Sequence, residues 1–162
     1  MGKRSWEKQI PQEYMHGSID QRLSLVQGLM DTDGYVDKNS NCSFCTTSEV
    51  LAQQFQQLIW SLGGIASISK KTPYFTYLGE RKQGRDAYIV HIRYRKPSDL
   101  FRLPRKKERT NDGNQYAATL KLKIQSIETI DIDEATCISV AHPEKLFITK
   151  DYLVTHNTHL LN

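Results

Sequence analysis

The sequence predicts an α+β segment running to about residue 112, followed by an all-β segment to the end of the chain. Three observations carry this. Two stretches in the first part repeat apolar residues at helical spacing, and the runs between them alternate as strands do. From Leu120 onward, short alternating runs appear with no convincing helix.

The first helix is announced by "HGSIDQRLSLVQGLMDTDG". Ser18 suits the N-cap, Asp20 falls in the first turn, and Leu23, Val26, Leu29 and Met30 form an apolar stripe. The helix is expected to stop at "DTDG", with Gly34 in a left-handed turn and a strand starting at Tyr35-Val36. A second strand follows through Ser43-Phe44-Cys45-Thr46. Thr47 or Ser48 caps the second helix, Glu49 sits near the positive end of its dipole, and Leu51, Phe55, Leu58, Ile59 and Leu62 keep helical spacing. Gly63-Gly64 ends it.

Strands are expected near 65–70, near 73–78 and in "AYIVHIRYR", with Gly79 and Gly84 in the turn between the last two. "PSDLF" reads as a short helix. "PRKKERTNDGNQ" is polar and holds a turn signal at Asp112-Gly113, where a boundary is placed. Beyond it, "LKLKIQSIETIDI", "ATCISV", "KLFIT" and "YLVTH" read as four short strands.

Composition bounds the function classes. With 38% hydrophobic and 25% charged residues, the chain belongs with globular proteins rather than low-complexity or fibrous ones. No apolar run approaches the length of a membrane span, and the start lacks a signal-peptide core, so a cytoplasmic location is expected. Cys42-Ser-Phe-Cys45 has the spacing of half a zinc site without a second pair, and structural thiols are the expected reading. The net charge is +4, with the basic residues concentrated between Arg81 and Lys123. Such clustering suits either a polyanion such as DNA or a solvated face.

The tail "DYLVTHNT" carries reactive side chains at Asp151–Thr158. The amide of Asn157 can attack its own backbone carbonyl, closing a succinimide and releasing the downstream peptide, provided a proton donor and the attack geometry are supplied. His156 is the natural proton carrier near neutral pH. Thr158 places a hydroxyl nucleophile directly after that bond. The stretch "ATCISVAHPEKLFITKDYLVTHNT" resembles the two C-terminal motifs of inteins, the self-splicing Hint domains. The resemblance implies that Asn157 cyclises, that His156 assists, and that Thr158 opens the C-extein and accepts the N-extein acyl group as a branched ester. No cofactor is implied for that chemistry. Cys137 stands where many inteins carry an aspartate. It is either a thiol partner in the first or branching step, or a small core residue. Lys145 replaces the usual strand histidine, and His142, beside Pro143, reads as a turn residue outside the catalytic set. "THLLN" would continue a P-loop ATPase host if the preceding extein ended in Gly-Lys.

At the front, "LVQGLMDTDGYV" (Leu25–Val36) resembles the helix motif of LAGLIDADG homing endonucleases, and "KQIP" and "SEVLAQQFQQLIWSLGG" resemble its flanking motifs. The implied fold is an αββαββα half-unit with its sheet in the DNA major groove. Gly28 then suits a close helix crossing, Asp33 is the metal-binding carboxylate for Mg2+, and Asp31 belongs to the turn. Arg93 and Arg95 would touch DNA. In the family a basic residue supports phosphate chemistry, a role open to Lys106 or Lys107, though both read rather as solvated or as phosphate contacts.

The implied organisation is 1–112 endonuclease half, 113–157 C-terminal part of a Hint domain, and 158–162 C-extein residues. The chain shows one endonuclease helix motif and lacks the N-terminal splicing nucleophile and Thr-x-x-His motif. The resulting expectation is the C-terminal fragment of a split intein, splicing in trans with an N-terminal fragment. Double-stranded DNA at the intein insertion site would be a further partner. Two alternatives stay open: a Mg2+-dependent endonuclease acting as a dimer or with its other half, and a degenerate endonuclease remnant.

Overall fold

The computed structural model describes residues 4–113, 120–129, 131, 134, 138–150 and 152–156, and divides the chain into two compact units, Met1–Leu120 and Lys121–Asn162. The first unit holds the short helix α1 (Gln12–Met15), α2 (Ile19–Asp33), β1 (Gly34–Val36), β2 (Cys42–Thr46), α3 (Glu49–Ser61) and β3 (Ile65–Lys71). A hairpin of β4 (Tyr74–Tyr77) and β5 (Glu80–Gln83) precedes β6 (Ala87–Arg93), a 3-10 turn at Pro97–Leu100, and the short helix α4 (Pro104–Lys107). Strands β1, β2, β6 and β3 form one antiparallel sheet in that order.

Both long helices begin where their capping residues dictate. The Ser18 hydroxyl accepts from the Gln21 amide at 3.2 Å while the Gln21 side chain accepts from the Ser18 amide at 2.9 Å, a reciprocal box that satisfies two otherwise orphaned donors. Of the two candidates for α3, Ser48 is the cap, accepting from the Leu51 amide at 3.2 Å. The same Ser48 hydroxyl donates to the Lys8 carbonyl at 2.6 Å, and Gln54 makes a two-way pair with the Ile10 backbone at 2.7 and 2.9 Å. The "KQIP" segment is thereby strapped to α3.

The core lies between the helices and one face of the sheet. Val26 and Met30 of α2, Phe55, Leu58 and Ile59 of α3, Phe44 of β2, Val90 of β6, and Leu100 and Phe101 are fully buried. Phe44 and Phe55 stack with ring centroids 4.3 Å apart. Each such side chain contributes about 1.5–3 kcal/mol by leaving water. Alternation in β6 puts Val90 and Ile92 inward and leaves His91 exposed on the opposite face. Cys42 is buried and Cys45 exposed, on opposite faces of β2, so the pair cannot share a zinc ion. Burial, with the charges of Asp37 and Asp112, pushes the Cys42 thiol up to about 12.

Two expectations for this unit are corrected. Residues 80–83 form a strand rather than part of a turn, because Tyr74–Tyr77 and Glu80–Gln83 pair across a tight Leu78-Gly79 corner with both residues at positive φ. Gly34 is not left-handed: its φ is −80°, and β1 begins at once. Glycine is required there for space, since an added Cβ would lie 2.7 Å from the Met30 Cα and closer still to the Met30 carbonyl oxygen.

In the second unit, β7 (Leu146–Ile148) and β8 (Val154–His156) pair antiparallel, Leu146 facing His156, and a turn closes them through bonds from the Thr149 amide to Leu153 and from the Tyr152 amide to Thr149. His142 does sit in a turn, its carbonyl accepting from the Lys145 amide at 2.9 Å. The expected strand from Leu120 is absent over the described residues 120–129. No described strand pairs with it, and its apolar residues are open to solvent, Ile124 at 81% and Ile127 at 87%. Every buried apolar residue among those described lies between Ile10 and Phe101.

Gly34 and Gly28 make a paired test. Gly34→Ala is expected to cost about 1–3 kcal/mol through overpacking. Gly28→Ala, where an added Cβ meets nothing within 4 Å, is expected to stabilise α2 by up to about 1 kcal/mol. Urea unfolding followed by circular dichroism reads both, and a Gly34→Ala variant of unchanged midpoint would refute the steric requirement.

Candidate nucleic-acid interface and metal site

The carboxyl end of α2 is bonded to the segment at 102–106 in both directions. The helix brings Asp31 and Asp33 to the same end, where the dipole leaves unpaired carbonyls and partial negative charge. Asp31 is committed to structure. Its carboxylate accepts from the Arg102 amide at 3.1 Å and the Leu103 amide at 3.2 Å, and so anchors the approach to α4. Asp33 is exposed and has no such commitment among the described residues.

Lys106 completes this corner. Its ammonium donates to the carbonyls of Met30 at 2.8 Å, Asp31 at 3.0 Å and Gly34 at 2.6 Å. All three of its N–H bonds are therefore spent on the end of α2, a different engagement from the phosphate contact suggested by the sequence. Burial and the neighbouring Arg105 push its pKa below the ordinary lysine value, with Asp31 and Asp33 opposing. Lys107, one residue on, is exposed.

Among the described residues of the first unit, no element covers the sheet face turned away from the helices. Cross-strand register places Tyr35, Ser43, His91 and Ser67 in one row, with Cys45, Ile89 and Ser69 in the next and Arg93 opposite Ile65. His91 and Ser69 are hydrogen-bonded at 2.9 Å. Most of these residues line a shallow concavity of about 500 Å³. Small hydroxyls, an imidazole and a guanidinium on a curved antiparallel surface offer donors and acceptors of the kind that read base edges. Arg93 is half-buried in this face, whereas Arg95 lies just past the end of β6, exposed in the following bend.

The β4–β5 hairpin escaped the sequence reading as a functional feature. Tyr74, Phe75 and Tyr77 are more than half exposed, with Arg81 4.5 Å over the Tyr74 ring and Lys82 5.1 Å over Tyr77. Alternating aromatic residues opposite "ERKQ" were the available signal. On α2, the small residues Ser24, Gly28 and Thr32 are exposed at four-residue spacing, so the crossing expected at Gly28 has no partner among the described residues of this unit. Arg102 flanks that stripe, bonded to Gln27 at 2.8 Å and Ser24 at 2.9 Å.

Among the described residues, no three His, Cys, Asp or Glu side chains converge to hold a metal. Asp33 supplies one hard oxygen ligand. That fits Mg2+, which binds through one or two carboxylates with water and substrate phosphate completing its shell. In the second unit His156 ends β8 and is exposed. Cys137, Asn157 and Thr158 lie outside the described residues. Among those described, no helix is long and apolar enough to cross a membrane.

Comparison with known proteins returns a LAGLIDADG-like domain over residues 20–102. The chain is also 31% identical over 163 residues to the replicative DNA helicase DnaB of Mycobacterium intracellulare, covering 94% of this chain and 26% of that protein. It is 33% identical over 118 residues to an ATP-dependent DNA helicase of Thermococcus kodakarensis, covering 66% of this chain and 10% of the helicase. The chain thus spans about a quarter or less of the curated relatives it matches.

Lys106→Met should destabilise the first unit by about 1–2 kcal/mol, the charged hydrogen bonds being discounted for partial exposure. Lys107→Met should stay within about 0.5 kcal/mol of the parent. Equal unfolding midpoints for the two variants would contradict the clamp.

Proposed function

This chain belongs to the LAGLIDADG-like domain family, and from that premise we propose that its first unit is one half of a homing-endonuclease fold that binds double-stranded DNA. The observation that carries the reading is the placement of Asp33. Its carboxylate stands exposed where α2 runs into β1, the edge strand of the uncovered sheet face. Duplex DNA lying on that face brings its backbone to the helix end. Arg93 on the face and Arg95 at its rim add positive charge where phosphates pass. Mg2+ held by Asp33 would supply Lewis acidity at the scissile phosphate and an activated water.

The protein's own residues have distinct tasks in this reading. Asp31 and Lys106 fix the end of α2, so that Asp33 projects from a rigid support. The Ser24, Gly28 and Thr32 stripe accepts the matching helix of a second half, supplied either by a second copy or by another part of the host polypeptide. Close approach there brings a second carboxylate toward Asp33, which one half alone lacks.

We further propose that the second unit belongs to a self-splicing Hint domain, in which Thr158 accepts an upstream acyl group and Asn157 then cyclises. The order of His156, Asn157 and Thr158 after β8 supports this, as does a match covering 94% of this chain but only 26% of a helicase. A segment that matches parts of two helicases is what an element inserted in host proteins leaves behind. The solvent-open Ile124, Ile127 and Ile148 require cover. The N-terminal part of the Hint fold, on the same polypeptide or a separate one, provides it. One relative is ATP-dependent by name, in keeping with a nucleotide-binding host site continuing through Thr158-His159-Leu160.

Asp33→Asn should abolish Mg2+-dependent cutting of a duplex spanning an uninterrupted host site while leaving DNA binding intact; persisting cleavage would exclude Asp33 as the ligand. With the N-terminal Hint part supplied, mass spectrometry should show ligated exteins, and Asn157→Ala should halt the reaction before release of the C-terminal segment. Ligation undiminished in that variant would overturn the cyclisation step.

A further inference from the structure

Beside Asp33 lies a concavity of about 470 Å³ lined at the α2–β1 junction by Thr32 and Gly34 and, with Lys106, by Tyr35, Arg105 and Arg109, the last three of interest here for their side chains. Nothing in the endonuclease reading above uses these three side chains. Arg105 and Arg109 are four residues apart across α4 and its following turn, which puts them on one side. The turn is held by the Glu108 amide bonding to Pro104 at 2.9 Å and the Arg109 amide to Lys106 at 3.2 Å. The Arg109 guanidinium lies 5.6 Å from the Tyr35 ring centre, a cation–π contact that pre-positions it. Both arginines are exposed, and neither is in an ion pair among the described residues. The adjacent acid, Asp31, already serves the Arg102 and Leu103 amides.

We propose that Arg105, Arg109 and Tyr35 form a seat for one DNA backbone phosphodiester directly beside Asp33, adjacent to the bond to be cut. This rests on the DNA-binding reading of the first unit. Two guanidinium forks at one recess are suited to a tetrahedral anion that can be gripped from two sides. The Lys106 ammonium makes the approach possible. By saturating the Met30, Asp31 and Gly34 carbonyls, it cancels the negative end of α2 that would otherwise repel a phosphate. Lys106 is the support of the seat, and the two arginines are its ligands. Tyr35 holds Arg109 at the recess and can donate its hydroxyl to the same phosphate.

The test is a salt titration of binding to a fluorescein-labelled duplex of mixed sequence, followed by anisotropy. The full chain is compared with Arg105→Gln/Arg109→Gln and Arg105→Lys/Arg109→Lys, with thermal unfolding confirming that all three are folded. The Gln pair is expected to weaken binding about tenfold and to make the plot of log affinity against log salt shallower by roughly 1. The Lys pair should keep the slope and lose part of the affinity. Parent-like affinity and slope in the Gln pair would overturn the seat and leave the DNA-binding reading standing. A parent chain that binds no duplex at any salt would overturn both.

Discussion

A single ammonium group closes the first unit. Lys106 and Met30 are 76 residues apart in sequence, and their contact ties the last short helix to the end of the first long one. Without it, the Asp31 and Gly34 carbonyls would lose this donor, the Met30 carbonyl would keep only the Gly34 amide, and the exposed Asp33 would sit on a less firmly held turn. The Asp31 carboxylate works on the same junction from the other side, accepting the Arg102 and Leu103 amides. A cation from α4 bonds α2 carbonyls, and an anion from α2 bonds amides leading into α4. Crossed bonding of this kind fixes both the position and the rotation of the helix end, which one bond could not do.

The electrostatic layout stems from that clamp. With one lysine and one aspartate bonded internally, Arg105 and Arg109 near the corner are in no ion pair among the described residues. The basic side chains divide by task. Arg102 lies along α2, Arg93 lies in the open sheet face, and Arg105 and Arg109 rim the recess at Tyr35. A sequence count of basic residues between Arg81 and Lys123 treats them as one patch. The fold resolves them into a set bonded to the unit's own groups and a set that stands on its surface.

Legibility in the sequence tracks the range of the interaction. Ser18, Ser48 and the apolar stripes of α2 and α3 act within a turn or two, and their helices could be read directly. The pairing of β4 with β5 is hidden because its corner uses Leu78 at positive φ, a conformation no side-chain pattern announces. Gly34 stands out in the sequence, but for a different reason from the one its position suggests: what demands glycine is the Met30 backbone four residues earlier, not a left-handed turn. Lys106 and Lys107 are indistinguishable neighbours in sequence, and only a contact across the whole unit tells them apart. The alternating run after Leu120 has the period of a strand, but a strand is a property of pairs, and no described partner is available to it. A motif in the sequence singles out Asp33 as a candidate ligand. Tyr35, Arg105 and Arg109 are not singled out, since they meet only in three dimensions.

Helix α2 ends at Asp33 and strand β1 begins at Gly34, with no residue between them. A hinge needs at least one soft pair of dihedrals between rigid parts, and here the Lys106 ammonium bonds carbonyls on both sides of the junction, Met30 and Asp31 before it and Gly34 after it, which removes much of that softness. Carboxylate and sheet edge therefore move as one lever. A surface resting flat on the sheet sets the carboxylate's height automatically, and a surface that rocks on it lifts the carboxylate away. A displacement of about 1 Å at a reacting group can cost about a hundredfold in rate. In the proposed endonuclease role, discrimination between well-seated and poorly seated ligands would thus be expressed at the chemical step with little difference in occupancy.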